Sequence, residues 1–514
     1  MTLKQKAERP PQSAVVIGSG FAGMAAACCL AKAGLAVTVL EKNADFGGRA
    51  RVWRQDGFTF DLGPSWYWMP DVFEEFFARF GKSPADFYDL VRLDPSYRVF
   101  FRWGETVDLP ADLGALLGLF ETMEPGGARN LRRFLDQAAH KYRVGMGDYV
   151  RRPSLSLTEF VDLRMAGESA RLQMVQSMHR HVAAHFRDER LRRIMEFPVL
   201  FLGGTARDIP AMYSLMNYAD MVLGTWYPMG GMGRVADALV ELARSLGVRL
   251  VASAEAAHIP VESGAATGVR TVDGEWHPAD VVVAGADYHH VEQELLDAPF
   301  RTYDEGYWRK RVLSPSSLLF YLGVGKRLRN LRHHNLFFDE GLERHAREIY
   351  HDPKWPTRPL FYACCPSQTD PSVAPEGCEN LFVLIPVAPG LDDPEATRER
   401  YYALVMERLE RLTGQSVRDA VVVKRSYAHA DFAADYHAYR GNAYGLANTL
   451  AQTAVFKPRV RAKKVHNLYF CGQMTVPGPG VPPSLLSGQI VADLITMTGS
   501  ARLRDGVEPP HAEG

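Results

Sequence analysis

The first strongly patterned stretch of the chain is Ser13–Ile17, where a β-branched apolar run follows a polar, charged opening. Such a run predicts a short strand covered on both faces. It leads straight into Gly18-Ser19-Gly20-Phe21-Ala22-Gly23, and positions 24–32 have the alanine-rich composition of a helix. Gly34 stops that helix, and Ala36–Leu40 predicts a second strand that ends at Glu41. Related patterns return much later. Arg249–Val251 reads as a strand, 264–287 as a hairpin followed by the buried strand around Val281-Val282-Val283, and 467–472 as a strand ending at a glycine. After the Pro/Gly turn at 477–484, Leu485, Leu486, Ile490, Val491, Leu494 and Ile495 recur at helical spacing.

Strand, glycine turn, helix, second strand and terminal acid together predict a dinucleotide cradle. Gly18 permits the tight turn, Gly20 lets backbone approach a diphosphate, and Gly23 lets helix pack on strand. The diphosphate then meets the free N–H groups of the helix N-terminus. Glu41, 23 residues after Gly18, is placed to accept from a ribose hydroxyl. The alternative for a lone glycine fingerprint is a tight turn in an unrelated α/β domain.

The segments beyond Glu41 and Lys42 extend the pattern: Gly47-Gly48-Arg49-Ala50, then Phe60-Asp61-Leu62-Gly63-Pro64-Ser65. Here the sequence resembles the FAD-dependent amine oxidase and carotenoid desaturase superfamily, and through four further segments its bacterial phytoene desaturase branch. Those segments are 63–70, 93–98, 226–232 and the Pro-Gly-x-Gly-Val-Pro run at 477–482. The resemblance implies FAD as cofactor, with Gly18, Ser19, Gly20, Phe21, Ala22, Gly23, Glu41, Lys42, Gly48, Gly63, Pro64, Ser65, Gly472, Gly480, Val481 and Pro482 around it. It implies a diphosphate contact for Arg49, against the plainer reading of a surface ion pair, and an adenine-side position for Ala256. Two departures matter. Gln473 stands where amine oxidases carry an acid, which counts against an amine substrate, and Val476 stands where many desaturases carry histidine.

The implied fold is α/β: a two-dinucleotide-type Rossmann FAD-binding domain from discontinuous segments, a mixed substrate domain and a helical region. The expected divisions are FAD-binding at 1–80, 226–300 and 441–500, a helical substrate or membrane region at 81–225, a substrate domain at 301–440 and a flexible tail at 501–514. A length of 514 residues suits this division. A formal net charge of −1 gives no field for recruiting nucleic acid, which is excluded as a partner. The six cysteines have no zinc-binding spacing, so no metal site is expected and a reducing, cytoplasmic compartment fits. No secretion signal is read at the N-terminus, and the uncharged stretch at 468–492 carries too many prolines and glycines for a membrane span.

The expected reaction is desaturation of phytoene, an apolar isoprenoid, by loss of a hydride to flavin N5 and of a proton. Oxygen or a membrane quinone would reoxidise the flavin, and no second glycine fingerprint provides for a nicotinamide. The proton acceptor is not legible; Asp208 and Glu196, near Gly203-Gly204, are the nominated acids. The apolar stretches 113–120 and 197–203 are expected to supply the pocket, and Trp66, Tyr67 and Trp68 to line it or pack in the core. An insoluble substrate calls for peripheral attachment to the inner face of the cell membrane. Arg129, Arg132, Arg133, Lys141, Arg143, Arg151 and Arg152 offer either such a patch or an ordinary solvated face. Rival readings are a later or hydroxylated carotenoid desaturase, a hydroxysqualene oxidase, a carotenoid isomerase, an amine oxidase and a non-catalytic flavin- or carotenoid-binding protein.

Overall fold

The computed structural model describes residues 10–156, 159, 172–173 and 176–504. The charged opening at 4–9 and positions 505–514 of the expected tail lie outside the described residues. Strands Ser13–Ile17 and Ala36–Leu40 form where the apolar pattern places them. They join a five-stranded parallel sheet in the order Leu468–Phe470, Val281–Ala284, Ser13–Ile17, Ala36–Leu40, Arg249–Val251. Parallel strands are buried on both faces. Val281–Ala284 is accordingly buried at every position.

The first helix spans Phe21–Lys32, three residues earlier than its composition suggests, because the fingerprint itself supplies the first turn. It packs between helices Val481–Arg504 and Gly233–Ser245. A Cβ at Gly23 would sit 2.1 Å from the Gly18 carbonyl oxygen, and one at Gly488 would sit 2.1 Å from that of Ala22. These two glycines therefore set how closely helix approaches strand and helix approaches helix. Helix Val481–Arg504 begins before Ser484, since Pro482 and Pro483 occupy a first turn whose N–H groups have no helical acceptor. It continues to Arg504, into the expected tail.

The second layer is a seven-stranded sheet in the order Val421–Tyr427, Ser316–Val324, Glu379–Val387, Phe361–Cys364, His334–Phe337, Tyr97–Phe100, Thr106–Leu109. Its last two strands come from the 81–225 segment expected to be helical. Tyr97 and Val99 enter one core and Phe100 the other, as side chains of a strand do, and Arg98 and Asp108 pair across the two strands at 2.6 Å. Side chains of this sheet alternate as strand geometry demands. Leu318, Phe320, Val383 and Ile385 join a core with helix residues Tyr401, Val405 and Leu409, while Leu319, Tyr321, Phe382 and Leu384 belong to the central core. The central face of this sheet looks toward the carboxyl ends of the parallel one, and the site lies between them.

No helix among the described residues is long and apolar enough to cross a membrane. Helix Leu113–Met123 buries only Leu116 and Phe120 and lies on the surface, with Leu113 39% exposed. It contributes nothing to the interior pocket expected of 113–120.

Candidate functional site

One cavity of ≈ 540 Å³ joins the two sheets, a size in the range of cofactor and ligand pockets. Of the eighteen predicted cofactor positions, seventeen line it; Gly23 stands behind, packed on Gly18. The fingerprint turn lies at the carboxyl end of Ser13–Ile17, with Gly20 free of any neighbour that a side chain would meet within 4 Å. Backbone there is open to close approach by a ligand.

Glu41 stands at the next strand's end. One carboxylate oxygen accepts from Ser19 N at 2.9 Å and Ser19 Oγ at 2.6 Å, the other from Asn43 N at 2.9 Å and Asn43 Nδ2 at 3.0 Å. It thus holds the fingerprint turn against the following loop while facing the cavity.

Arg49 does not form the surface ion pair that was the alternative reading. Its Nε is buried without a hydrogen-bond partner, and its guanidinium lies 4.9 Å from the centre of the Tyr436 ring. Burial pushes its pKa down, opposed by Tyr436 and Asp287. Gln473, turned to satisfy its neighbours, accepts from Arg49 Nη2 at 3.1 Å. A desolvated cation with an unused donor beside the glycine turn is suited to an anion such as a diphosphate. Opposite, the N-terminus of Val481–Arg504 opens on the cavity through Gly480, Val481 and Pro482, and its dipole favours negative charge there. The donor set and the open glycine cradle fit FAD.

From this cradle the cavity continues into an arm. The Gly145–Tyr149 turn contributes Met146 and Tyr149, the 211–218 turns contribute Met212, Tyr213, Leu215 and Met216, and the seven-stranded sheet contributes Ser317, Leu319, Tyr362, Phe382 and Leu384. Trp66 and Trp68 line the cavity, whereas Tyr67 is buried against Phe73 at 4.4 Å and takes no part. Of the stretch 197–203, Leu202 lines it. The four acids on the wall, Glu41, Glu255, Asp287 and Asp435, belong to the cradle side. Glu255 pairs with His437, Asp435 with Arg51, and Asp287 caps the short helix Tyr288–His290.

Neither nominated proton acceptor reaches this cavity. Glu196 is buried elsewhere and bonds His179 Nδ1 at 2.8 Å, and burial pushes its pKa up. Asp208 accepts from Thr205 Oγ1 at 2.7 Å in a local turn. Proximity in sequence to Gly203-Gly204 does not carry them to the arm.

The basic segment also divides. Arg129, Arg132, Arg133 and Arg143 are exposed. Lys141 is fully buried, donating to Ala211 O, Ser214 Oγ and Gln173 Oε1, so it braces an arm-lining turn instead of facing solvent. Arg151 pairs with Glu75, and Arg152 lines the cavity. Sequence reasoning missed Asp287, Tyr436 and the arm residues Met146, Met212 and Tyr362. They sit on elements with no local motif and meet only through tertiary packing.

The family model of flavin containing amine oxidoreductases matches residues 21–496. A carotenoid 3,4-desaturase of Haloarcula japonica is 43% identical over 485 residues, covering 94% of this chain and 98% of the relative. A zeta-carotene-forming phytoene desaturase of Myxococcus xanthus is 35% identical over 488 residues, 93% of each. The chain belongs to the flavin-containing amine oxidoreductases, in their carotenoid desaturase branch. An oxidoreductase structure from Methanosarcina mazei shares the fold, with a TM-score of 0.60 and 18% identity over 94% of this chain and all of that one. FAD is the cofactor of this desaturase, and the protein is an oxidoreductase of carotenoid biosynthesis. When bound, FAD supplies the acceptor for a hydride leaving the substrate. The glycine turn and Arg49 would hold its diphosphate end.

Proposed function

We propose that this carotenoid desaturase introduces a double bond at the end of a carotenoid polyene, between carbons 3 and 4, the reaction for which the Haloarcula japonica relative is named. The observation that carries a polyene substrate is the arm itself: its methionines, leucines and aromatic rings hold no carboxylate among the described residues, while every wall acid is engaged on the cradle side. An amine would enter as a cation and find no counter-charge there. Met146, Met212 and Met216 suit an elongated apolar chain, because unbranched thioethers adapt to irregular shapes.

A second reading, desaturation of phytoene, is supported by the four ordered segments at 63–70, 93–98, 226–232 and 477–482 and by the name of the Myxococcus xanthus relative. In either case Arg49 faces the diphosphate, Glu41 the ribose, Ala256 the adenine side, and Ser65 with Val481 the flavin. The substrate comes from a bilayer that the protein meets peripherally, on its cytoplasmic face, through Arg129, Arg132, Arg133 and the exposed side of Leu113–Met123. Quinone or oxygen takes the electrons onward.

The test is anaerobic incubation of FAD-loaded protein with liposomes carrying quinone and either phytoene or a longer-conjugated carotenoid with saturated ends. Products are separated by chromatography and read by absorption. One added double bond at the chain end of the coloured carotenoid supports the first reading. Coloured products from phytoene alone support the second, and no change in either defeats both.

A further inference from the structure

Desaturation removes a proton as well as a hydride, and the arm offers no carboxylate to receive it. Among its hydroxyl groups, Tyr213 lies beside Thr453, and Tyr444 beside Ser317, whose Oγ has no hydrogen-bond partner. Tyr362 differs. Its ring is on the cavity wall, its hydroxyl lies 3.0 Å from Ser65 Oγ, and on the far side it meets His334 Nδ1 at 2.6 Å. His334 is completely buried, and its ring stacks on Trp66 at 3.9 Å and 9°, which fixes the imidazole plane. Its Nε2 is buried without any hydrogen-bond partner.

The geometry points to Tyr362 and His334 as the proton-accepting pair of the reaction: Tyr362 oxygen takes the substrate proton while its own hydroxyl proton passes to His334 Nδ1. This rests on the desaturase reading above. The C–H bond at the second carbon breaks, its electron pair becomes the new π bond, and the hydride from the first carbon goes to the FAD. Tyr362 is the catalytic residue of the pair, and His334 is the positioning residue that acts through it. After product leaves, the proton passes from His334 back through Tyr362 to solvent entering the emptied arm.

A weak base is chemically adequate here. As hydride departs beside an alkene, positive charge grows on an allylic carbon, and the neighbouring C–H becomes strongly acidic. A carboxylate at that place would attack the cation; a neutral tyrosine-imidazole pair removes a proton without offering such a nucleophile. Burial keeps His334 neutral, and the same burial keeps the Tyr362 hydroxyl protonated. The titratable groups around the pair are Tyr444, which acts on Tyr362, His333, whose Nδ1 bonds Thr369 at 2.8 Å, and Cys364, whose Sγ is 3.6 Å from His334 Nδ1. Asp370 acts on His333 from one side, and Asp61 acts on Cys364 from another.

The experiment follows reduction of bound FAD by carotenoid in liposomes under anaerobic single-turnover conditions, in H2O and D2O, for wild type, Tyr362→Phe and His334→Gln. FAD affinity and melting temperature are measured on the same samples. The expected result is a loss of about 100-fold or more in both variants. FAD affinity and melting temperature should hold, and a solvent isotope effect present in wild type should vanish in both. Ring 15N spectra of wild-type apoprotein should show His334 neutral from about pH 5 to 8. Equal rates in wild type and Tyr362→Phe overturn the pair, as does an isotope effect that persists in both variants. So does a metal ion retained at one per chain, since it would occupy the imidazole. A wild type that no carotenoid reduces removes the desaturase reading itself, and the pair with it, which separates that failure from the failure of the pair alone.

Discussion

Replacing Arg49 by methionine should weaken FAD binding while leaving the empty protein no less stable. Arg49 is held among Tyr436, Asn442 and Gln473, with Nε buried and unpartnered and its pKa pushed down by desolvation. In the protein without cofactor, the guanidinium is therefore a desolvated charge with incomplete compensation, and an apolar side chain of similar length removes that penalty. With cofactor, the free donor would meet a diphosphate oxygen, and hydrogen bonds to charged groups contribute about 1.5–3 kcal/mol each. Loss of one such bond lowers affinity about 10- to 100-fold. Quenching of FAD fluorescence gives the dissociation constant, and urea denaturation of the apoprotein gives the stability. Affinity within threefold of wild type would refute the role given to Arg49. A large drop in apoprotein stability would refute the claim that its charge is poorly compensated, and would point instead to its electrostatic partner Asp287.

Gly23→Ala forces a methyl group against the Gly18 carbonyl, so a thermal melt should show about 1–3 kcal/mol of destabilisation, together with weaker FAD binding. Asp220 is fully buried, accepts from Tyr97 and Thr225, and is pushed up by burial to about 7. An acid whose folded pKa is raised contributes stability that is complete below about pH 4 and lost as pH rises through about 7. Asp220→Asn should therefore have a higher urea midpoint than wild type at pH 8 and little advantage at pH 4; the reverse order contradicts the assignment. Lys141→Met should slow carotenoid turnover through loss of the 211–214 turn yet leave FAD affinity and liposome binding intact. By contrast, replacing Arg129, Arg132 and Arg133 by glutamine should weaken sedimentation with anionic liposomes by roughly 1 kcal/mol per charge, about 100-fold together. Unchanged sedimentation would make that segment an ordinary solvated face.

The cradle was legible because its chemistry and its fold use the same residues. A turn that approaches a diphosphate needs glycines at fixed offsets, and the strand before it must be apolar on both faces, so Gly18, Gly20, Gly23 and Ser13–Ile17 announce themselves locally. The arm follows no such rule. Met146, Met212, Tyr362 and Tyr444 come from four distant elements, and any apolar residue of suitable size would give the same local pattern. The basic segment misled for a related reason. Lys141 is flanked by exposed arginines in sequence, but helical periodicity turns it inward to the 211–214 turn, which the chain reaches only 70 residues later.

The proton acceptor shows the same limit most sharply. Reading along the chain favours acids near conspicuous glycines, and Glu196 and Asp208 qualified on that ground. In the fold, His334 and Cys364 become register partners of neighbouring antiparallel strands, with Tyr362 two residues along from Cys364 on the same face. That pairing brings a phenol from one strand to the imidazole of the other across the ladder. Trp66, from a segment almost 270 residues earlier, covers the imidazole with its ring. Catalytic geometry of this kind is a property of strand register, so a one-residue slip would send Tyr362 to the opposite core and leave Ser65 facing alanine.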